Sequence, residues 1–325
     1  MSDSTESGSG WHLQPDPREL TFDFDRVLSA LVLVHTRVPE NALTAEGLGT
    51  ERAGNGVCIS DDGLVLTIGY LVTEAEHVWL TTADGSTVQG YVVGYDQPSG
   101  FGLLQCTQAM GTPALSLGDS AALRPGDDVI VAGHGGIDHA INAKVSTKRE
   151  FAGYWEYVLD EAIFTVPAHP NWGGAGLIGS RGELLGIGSL LVQQVTPSGE
   201  SAGANMMVPI NLLKPILDDL RLYGRRNEPA RPWMGMLVQD VGEQLVVGNI
   251  YAGCPADNAG LKPGDVIVAV DGEPVHELAK MFRKVWSLGP AGVNIPLMVT
   301  RDGRRFEAVL HSIDRNDRLV SGKLH

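Results

Sequence analysis

The feature that most constrains the fold is a long series of short apolar runs separated by turn residues, extending from Gly54 to Val208. Successive runs begin about ten residues apart, and the Asp84-Gly85 pair between two of them is among the strongest hairpin signals. Strands are predicted at residues 57–60, 64–67, 78–82, 88–95, 102–106, 114–117, 128–133, 140–147, 157–165, 184–192 and 205–208. Because they form two groups of about six, they predict a mostly β fold with paired β-barrels.

Helical patterns lie on both sides of this series. Residues 24–36 predict a short helix that leads into a strand. Residues 210–223 carry apolar side chains at helical spacing, with Pro215 in the first turn or at a bend. The charged, proline-bearing stretch 225–232 is typical of a linker. A separate small α+β domain is predicted beyond it, with a turn at 262–265, strands at 266–270, 294–300 and 305–310, and a helix at 275–288.

Composition limits the class of protein and of partner. Hydrophobic residues make up 43% of the chain and charged residues 19%, which is typical of globular domains rather than of a disordered chain. The formal net charge is −15. The part from Arg231 to His325 holds equal numbers of acidic and basic residues, so the whole excess of negative charge lies before it. Such a surface repels nucleic acid and anionic membranes, and we expect neither as a partner.

The cysteines and the start of the chain predict a cellular location. Cys58, Cys106 and Cys254 lie far apart in apolar or small-residue stretches, which favours buried free thiols over disulfides or a zinc site. Residues 1–10 are polar and acidic and lack the basic and apolar regions of a signal peptide. No run of about 18 apolar residues predicts a membrane span. We therefore expect a cytoplasmic location.

Four stretches in this order resemble the HtrA/Deg family. They are residues 54–57 (GNGV), 115–125 (LSLGDSAALRP), 208–211 (VPIN) and the long run 253–275, which is similar to a PDZ pattern. The resemblance implies a trypsin-like, chymotrypsin-fold double β-barrel followed by a PDZ domain. The implied division of the chain is a disordered tail at 1–22, the protease-like domain at 23–224, the linker at 225–232, the PDZ domain at 233–314 and a C-terminal tail at 315–325.

The resemblance also implies where a catalytic triad would lie, and this chain departs from it at all three positions. Tyr70 takes the place of the histidine base, Gly100 that of the aspartate and Gly173 that of the nucleophilic serine. A register shift of one residue puts Trp172 in the last place, also without a hydroxyl. A phenol with a pKa of about 10 is a poor base at neutral pH. We therefore expect a pseudoprotease with no catalytic residues.

Two alternatives to an inactive site remain at this stage. A hydrolase with a non-standard constellation would pair Ser99 or Thr165 with His169, which lies beside the vacant serine position. His134, His139 and His169 also raise the possibility of a metal site, but their spacing matches no common zinc signature. We expect neither a metal nor another cofactor.

The PDZ-like part carries the main functional prediction. The family's carboxylate-binding loop resembles Trp233-Met234-Gly235-Met236, so these four residues are the predicted peptide-binding site. Gly235 lets the backbone approach a ligand closely, and the methionines are either walls for the terminal side chain or core residues. PDZ domains add an extended peptide to a sheet edge and capture its C-terminal carboxylate. We expect micromolar binding of peptides that end in an apolar residue.

The combined expectation is a non-catalytic scaffold, adaptor or chaperone-like protein that holds protein C-termini. The alternatives are a serine-type endopeptidase-like hydrolase and a structural subunit bound to one dedicated partner in a larger enzyme complex. Family resemblance further implies a homo-oligomer, a trimer formed through an N-terminal segment. Residues 20–24 (LTFDF) are apolar and aromatic and lie in the matching place.

Overall fold

The structure, a computed structural model, describes residues 13–195 and 201–320. A short helix α1 (Phe24–Ser29) leads directly into the first strand, as residues 24–36 predicted. Asp23 caps this helix by accepting a hydrogen bond from the N–H of Arg26 (3.0 Å). A second, one-turn helix α2 (Ala45–Leu48) follows the first strand.

Six antiparallel strands close into the first barrel. Their spatial order is β1-β2-β3-β6-β5-β4. The strands are β1 (Leu31–Arg37), β2 (Glu51–Ser60), β3 (Leu64–Ile68), β4 (His77–Thr81), β5 (Thr87–Tyr95) and β6 (Phe101–Cys106). Every residue of β3, which pairs with β2 and β6, is buried.

Six further strands close into a second barrel, in the order β10-β11-β12-β9-β8-β7. They are β7 (Asp128–Ala132), β8 (Ala140–Gly153), β9 (Tyr157–Val166), β10 (Gly176–Ile178), β11 (Leu184–Val195) and β12 (Ser201–Pro209). β8 and β9 form a long hairpin whose turn consists of residues 154–156. The paired barrels predicted from the strand spacing are therefore confirmed.

The C-terminal domain has its own sheet and its own core. Its sheet runs β13-β14-β15-β17-β18, with β16 paired to β15. The elements are β13 (Met236–Val241), β14 (Gln244–Ile250), the one-turn helix α4 (Pro255–Asn258), β15 (Val266–Val270), β16 (Glu273–Pro274), the helix α5 (Leu278–Ser287), β17 (Asn294–Arg301) and β18 (Arg304–His311). The apolar face of α5 contributes Met281, Phe282 and Val285 to this core, which Val158 of β9 also joins.

Several local predictions were wrong. The helix predicted at 210–223 is a 3-10 turn (Ile210–Leu212) followed by a short helix α3 (Leu217–Tyr223). Pro215 lies between the two pieces, because proline lacks the N–H that a continuous helix needs. The helix predicted at 275–288 is shorter, starting at Leu278. Residues 114–117 form only one isolated bridge, from Leu117 to Leu184, instead of a strand.

The ends of the chain and the linker contact the barrels. Residues 1–12 of the predicted N-terminal tail and 321–325 of the C-terminal tail lie outside the described residues. The carbonyl of Leu13 accepts a hydrogen bond from the N–H of Asn142 (2.7 Å), so the described N-terminal segment begins in contact with β8 of the second barrel. Near the other end, the N–H of Val320 donates to Glu74 (2.8 Å). The linker residue Arg226 forms an ion pair with the buried Asp96 (2.6 Å).

Two sequence features have a simple structural counterpart. Cys58, Cys106 and Cys254 are all buried and free, as predicted. No helix within residues 13–195 or 201–320 is long and apolar enough to cross a membrane.

Candidate functional site

The three positions that a triad would occupy come together between the two barrels. Tyr70 lies in the 3-10 turn Gly69–Leu71 that follows β3, and Gly173 lies in the loop before β10. A Cβ atom added to Gly173 would lie only 2.6 Å from the hydroxyl oxygen of Tyr70. Gly100 is joined to the same turn, because its carbonyl accepts a hydrogen bond from the N–H of Gly69 (2.6 Å).

Tyr70 is bound as a hydrogen-bond donor. Its hydroxyl donates to the carbonyl oxygen of Ser189 (3.1 Å). Burial raises the pKa of Tyr70 above its usual value, and a hydrogen bond from the Trp172 side chain offsets only part of this effect. The phenol is therefore neutral at physiological pH and has no capacity to accept a proton.

The loop that holds Gly173 is fastened to the first barrel. The N–H of Asn55 donates to the carbonyl of Gly173 (2.7 Å), and the Asn55 side-chain amide donates to the carbonyl of Asn171 (2.8 Å). Gly174 has a φ of +75°, and a Cβ there would lie 1.8 Å from the carbonyl oxygen of Asn55. The approach of the two backbones is thus possible only with glycine at this position.

His169 forms hydrogen bonds that fix the start of the same loop. In serine proteases the oxyanion is held by the N–H groups of the nucleophile and of the residue two positions before it. The corresponding N–H of Asn171 donates to His169 Nδ1 (3.1 Å), and His169 Nε2 bonds to the carbonyl of His139 (3.0 Å). His169 is only 1% exposed, and burial lowers its pKa. Both ring nitrogens are therefore occupied in a neutral imidazole.

The residues of a relocated triad do not meet. Ser99 donates to the carboxylate of Asp96 (2.5 Å), which also binds Arg226. The hydroxyl of Thr165 is buried and has no partner within the described ranges. Neither hydroxyl is hydrogen-bonded to His169. His134 bonds to the carbonyl of Thr82 (3.1 Å), and residues 13–195 and 201–320 hold no group of three or more metal-ligating side chains.

An aromatic cavity of about 390 Å³ lies over the vacant positions. Its walls come from both barrels and from the C-terminal domain, and they include Tyr70, Tyr154, Trp155, Tyr157, Trp172 and Arg315. Aromatic rings therefore form a large part of the lining, together with polar side chains such as Gln97 and Arg315.

The predicted peptide-binding residues form the loop that enters β13. The side chains of Trp233, Met234 and Met236 are buried, so the methionines belong to the core of the C-terminal domain. Gly235 has a φ of +75°, and a Cβ there would lie 2.4 Å from the Cβ of Cys254. All four residues of the loop are buried, backbone included. Its role in peptide binding stays a prediction.

A carboxyl group already lies in this loop. Glu156, in the turn of the β8–β9 hairpin, accepts hydrogen bonds from the N–H groups of Met234 (3.1 Å) and Gly235 (3.2 Å). The sequence analysis missed Glu156 because it lies 78 residues before Met234. Its only local signal is a Gly-Tyr-Trp-Glu turn between two strands.

Comparison with known proteins agrees with this architecture. Residues 54–187 match the family model of a trypsin-like peptidase domain, and residues 232–310 match that of a PDZ domain. A "Probable periplasmic serine endoprotease DegP-like" of Ectopseudomonas mendocina (strain ymp) is 31% identical over 270 residues, or 78% of this chain and 54% of that protein. A protein of the same description from Pseudomonas fulva (strain 12-X) is 28% identical over 285 residues, covering 82% of this chain and 58% of that protein.

The chain belongs to the HtrA family.

Solved structures support the fold of this HtrA-like protein. The structure described as "HtrA-type protease AlgW with decapeptide" has a TM-score of 0.53 at 22% identity and covers 90% of this chain and 97% of that one. The serine endoprotease from Yersinia pestis has a TM-score of 0.51 at 21% identity, with 91% and 99% covered. The HtrA-like chain spans a little over half the length of the curated relatives it matches.

The relatives correct one prediction. They are named periplasmic endoproteases, so the expected cytoplasmic location is wrong. That expectation rested on the absence of a signal-peptide pattern from residues 1–10. Because the chain covers only part of its relatives, the pattern at its start does not determine the location of the protein.

Proposed function

We propose that this HtrA-like protein is a non-catalytic, periplasmic binding protein that holds protein C-termini on its PDZ domain. The observation that carries the proposal is the geometry of the Trp233–Met236 loop. Its consecutive N–H groups at Met234 and Gly235 converge on a carboxyl group within this structure. A PDZ domain uses such a loop to capture the terminal carboxylate of a peptide.

The absence of catalysis in this proposal is supported by the residues between the barrels. Tyr70 fills the space beside Gly173, and its neutral phenol donates a hydrogen bond. Loss of the nucleophile or the base alone costs on the order of 10⁶ in turnover, and the parts of a triad act as a unit. The names of the relatives favour endoproteolysis as a second candidate function, and measured turnover of casein decides between the two.

A trimer remains part of the proposal through family resemblance. Leu20 and Phe22 of the segment 20–24 are partly buried against the barrels of their own chain. A Cβ at Gly182 would lie 2.7 Å from the ring of Phe22, so this end of the segment is packed closely.

Amidation of a peptide's C-terminus tests carboxylate capture. A peptide that ends in an apolar residue is expected to lose at least about tenfold in affinity when its free carboxylate becomes an amide, because hydrogen bonds to a charged group contribute about 1.5–3 kcal/mol. Fluorescence anisotropy with the full chain and both forms of one labelled peptide measures this ratio. Equal affinities for the two forms would remove the basis of the proposed function.

A further inference from the structure

The turn of the β8–β9 hairpin is shaped to present one side chain to the PDZ domain. Gly153 and Tyr157 pair across it, and the three turn residues are Tyr154, Trp155 and Glu156. Glu156 has a φ of +61°, a left-handed conformation that favours glycine at this place in a three-residue hairpin turn. Although it lies in a turn, Glu156 is only 6% exposed, because its side chain packs into the PDZ loop.

The contacts of Glu156 are those that a peptide terminus would make. Its carboxyl oxygens accept hydrogen bonds from the N–H groups of Met234 (3.1 and 3.3 Å) and Gly235 (3.2 Å), and the N–H of Met236 also contributes. A carboxyl group is thus bound by successive backbone donors and by no side chain of the loop. This is the mode in which PDZ loops hold a terminal carboxylate.

The backbone of the turn also bonds to β13 as a bound peptide would. The carbonyl of Tyr154 accepts a hydrogen bond from the N–H of Val238 in β13 (3.0 Å). Tyr154 lies two residues before Glu156, and Val238 lies two residues after Met236. This spacing is the register of an antiparallel strand added to the edge of β13, where alternate residues bond across the pair.

We propose that residues 154–156 are an internal ligand that occupies the peptide site of the PDZ domain, so that a protein C-terminus binds only after this turn withdraws. The inference rests on the proposed function of the PDZ domain and adds its regulation. Because the turn is tethered, it competes as an intramolecular ligand at high effective concentration. The apparent affinity for an outside peptide is reduced by the fraction of molecules in which the site is open.

Withdrawal of the turn also changes the vacant protease site. Tyr154 and Trp155 line the aromatic cavity together with Tyr70 and Trp172. A peptide that displaces the turn from β13 therefore moves two walls of this cavity. The two domains are coupled through a single segment that contacts both.

Replacing Glu156 by glycine tests whether its carboxyl group acts as the internal ligand. Glu156→Gly removes the carboxyl group and suits the positive φ of the turn, so the hairpin itself is favoured. Glu161→Gln in β9 is the matched control, since it removes a carboxylate of the same hairpin that pairs with Lys148 and not with the PDZ domain. The probe is a fluorescent pentapeptide Ala-Gly-Tyr-Trp-Leu, which copies residues 152–155 and ends in a free apolar terminus.

Glu156→Gly is expected to bind this peptide at least about tenfold more tightly than the unchanged protein, and Glu161→Gln is expected to match the unchanged protein. The amidated peptide should bind weakly to all three. Equal affinity of the free peptide for Glu156→Gly and the unchanged protein would overturn the internal ligand but leave the proposed function standing. Equal binding of the free and amidated peptides by Glu156→Gly would instead contradict the proposed function.

The internal ligand also predicts a dependence on pH. Burial raises the pKa of Glu156 to about 8, against the partial opposition of the backbone N–H groups and Arg315. Tyr251 and Cys254 also face this group, and burial raises both of their pKa values, so neither titrates at neutral pH. Because docking raises the pKa of Glu156 above its ordinary value, the docked form takes up a proton and is lost as pH rises towards 8.

Peptide binding by the unchanged protein is therefore expected to strengthen by about tenfold between pH 6 and pH 7.5. The peptide's own carboxylate, with a pKa of about 3.5, stays ionised over this interval. Glu156→Gly lacks the titrating group and should give a flat profile. Parallel profiles for the two proteins would contradict a docked Glu156 with a raised pKa.

Amide hydrogen exchange tests the docking without any peptide. In the unchanged protein the N–H groups of Met234, Gly235 and Val238 are expected to be protected by the turn. In Glu156→Gly the first two should exchange at least about tenfold faster, because they lose their acceptor. Unchanged protection of Met234 and Gly235 in Glu156→Gly would overturn the proposal even if the protein bound no peptide at all.

Discussion

Gly173→Ser is expected to remain without measurable proteolytic activity, at least about 10⁶ below a complete triad. The new Cβ would lie 2.6 Å from the hydroxyl of Tyr70, so the serine enters a space that is already filled. Tyr70 is a neutral donor whose pKa is raised by burial, and it has no capacity to take the proton of the serine. Initial rates of casein and fluorogenic peptide cleavage measure this result.

Gly173→Ala is the matched control for this experiment. It adds the same Cβ beside Tyr70 without a hydroxyl, so any difference between the two variants belongs to the serine Oγ. Restoring the triad aspartate by Gly100→Asp would be strained, because Gly100 has a φ of +82° and its Cβ would lie 3.1 Å from the hydroxyl of Tyr157. Turnover by Gly173→Ser above that of Gly173→Ala would show a usable nucleophile and contradict the account of the site.

Gly174→Ala is expected to destabilise the barrels by about 2–5 kcal/mol. The alanine pays for a left-handed backbone conformation, and its Cβ would lie 1.8 Å from the carbonyl oxygen of Asn55. This oxygen belongs to the backbone of β2, so the clash is relieved only by moving the loop away from the first barrel. Urea unfolding of the full chain, followed by circular dichroism, measures the loss.

Gly136→Ala separates the two causes. Gly136 has the same φ of +75°, but a Cβ there meets nothing within 4 Å. Its substitution should therefore cost only the conformational part, about 1–2 kcal/mol. If the two variants unfold at the same urea concentration, the close approach of Gly174 to Asn55 does not hold the loop in place.

Much of the fold followed from local patterns. Strands in closed antiparallel barrels are short and bounded by turns, so the spacing of the apolar runs was sufficient to predict both barrels. Motif resemblance then identified Tyr70, Gly100 and Gly173, which the structure brings together. These features were accessible because each depends on residues that are close in sequence or on a motif of fixed spacing.

The errors arose where a short element depends on distant partners. β10 has only three residues, Gly176–Ile178, and is a strand because β7 and β11 pair on its two sides. Residues 114–117 have a strand-like composition, but only Leu117 reaches a bridging partner. For 210–223 the prediction placed Pro215 in the first turn or at a bend of one helix, whereas the structure has two separate pieces on either side of it.

Glu156 could not be predicted for a different reason. Nothing in its neighbourhood marks it as a ligand, since its partners Met234 and Gly235 belong to another domain. The contacts of the turn with the PDZ loop and with Val238 form only when the hairpin lies against the edge of β13, which is a property of the folded chain.

The central claim is that the protein holds C-termini without cutting them. The most direct measurement incubates the full chain with a labelled peptide that ends in a free apolar residue, isolates the complex and identifies the recovered peptide by mass spectrometry. The account predicts intact peptide, and at least about tenfold less of it when the terminus is amidated. Recovery of shortened peptide fragments, at a rate that scales with the concentration of the purified protein, would contradict it.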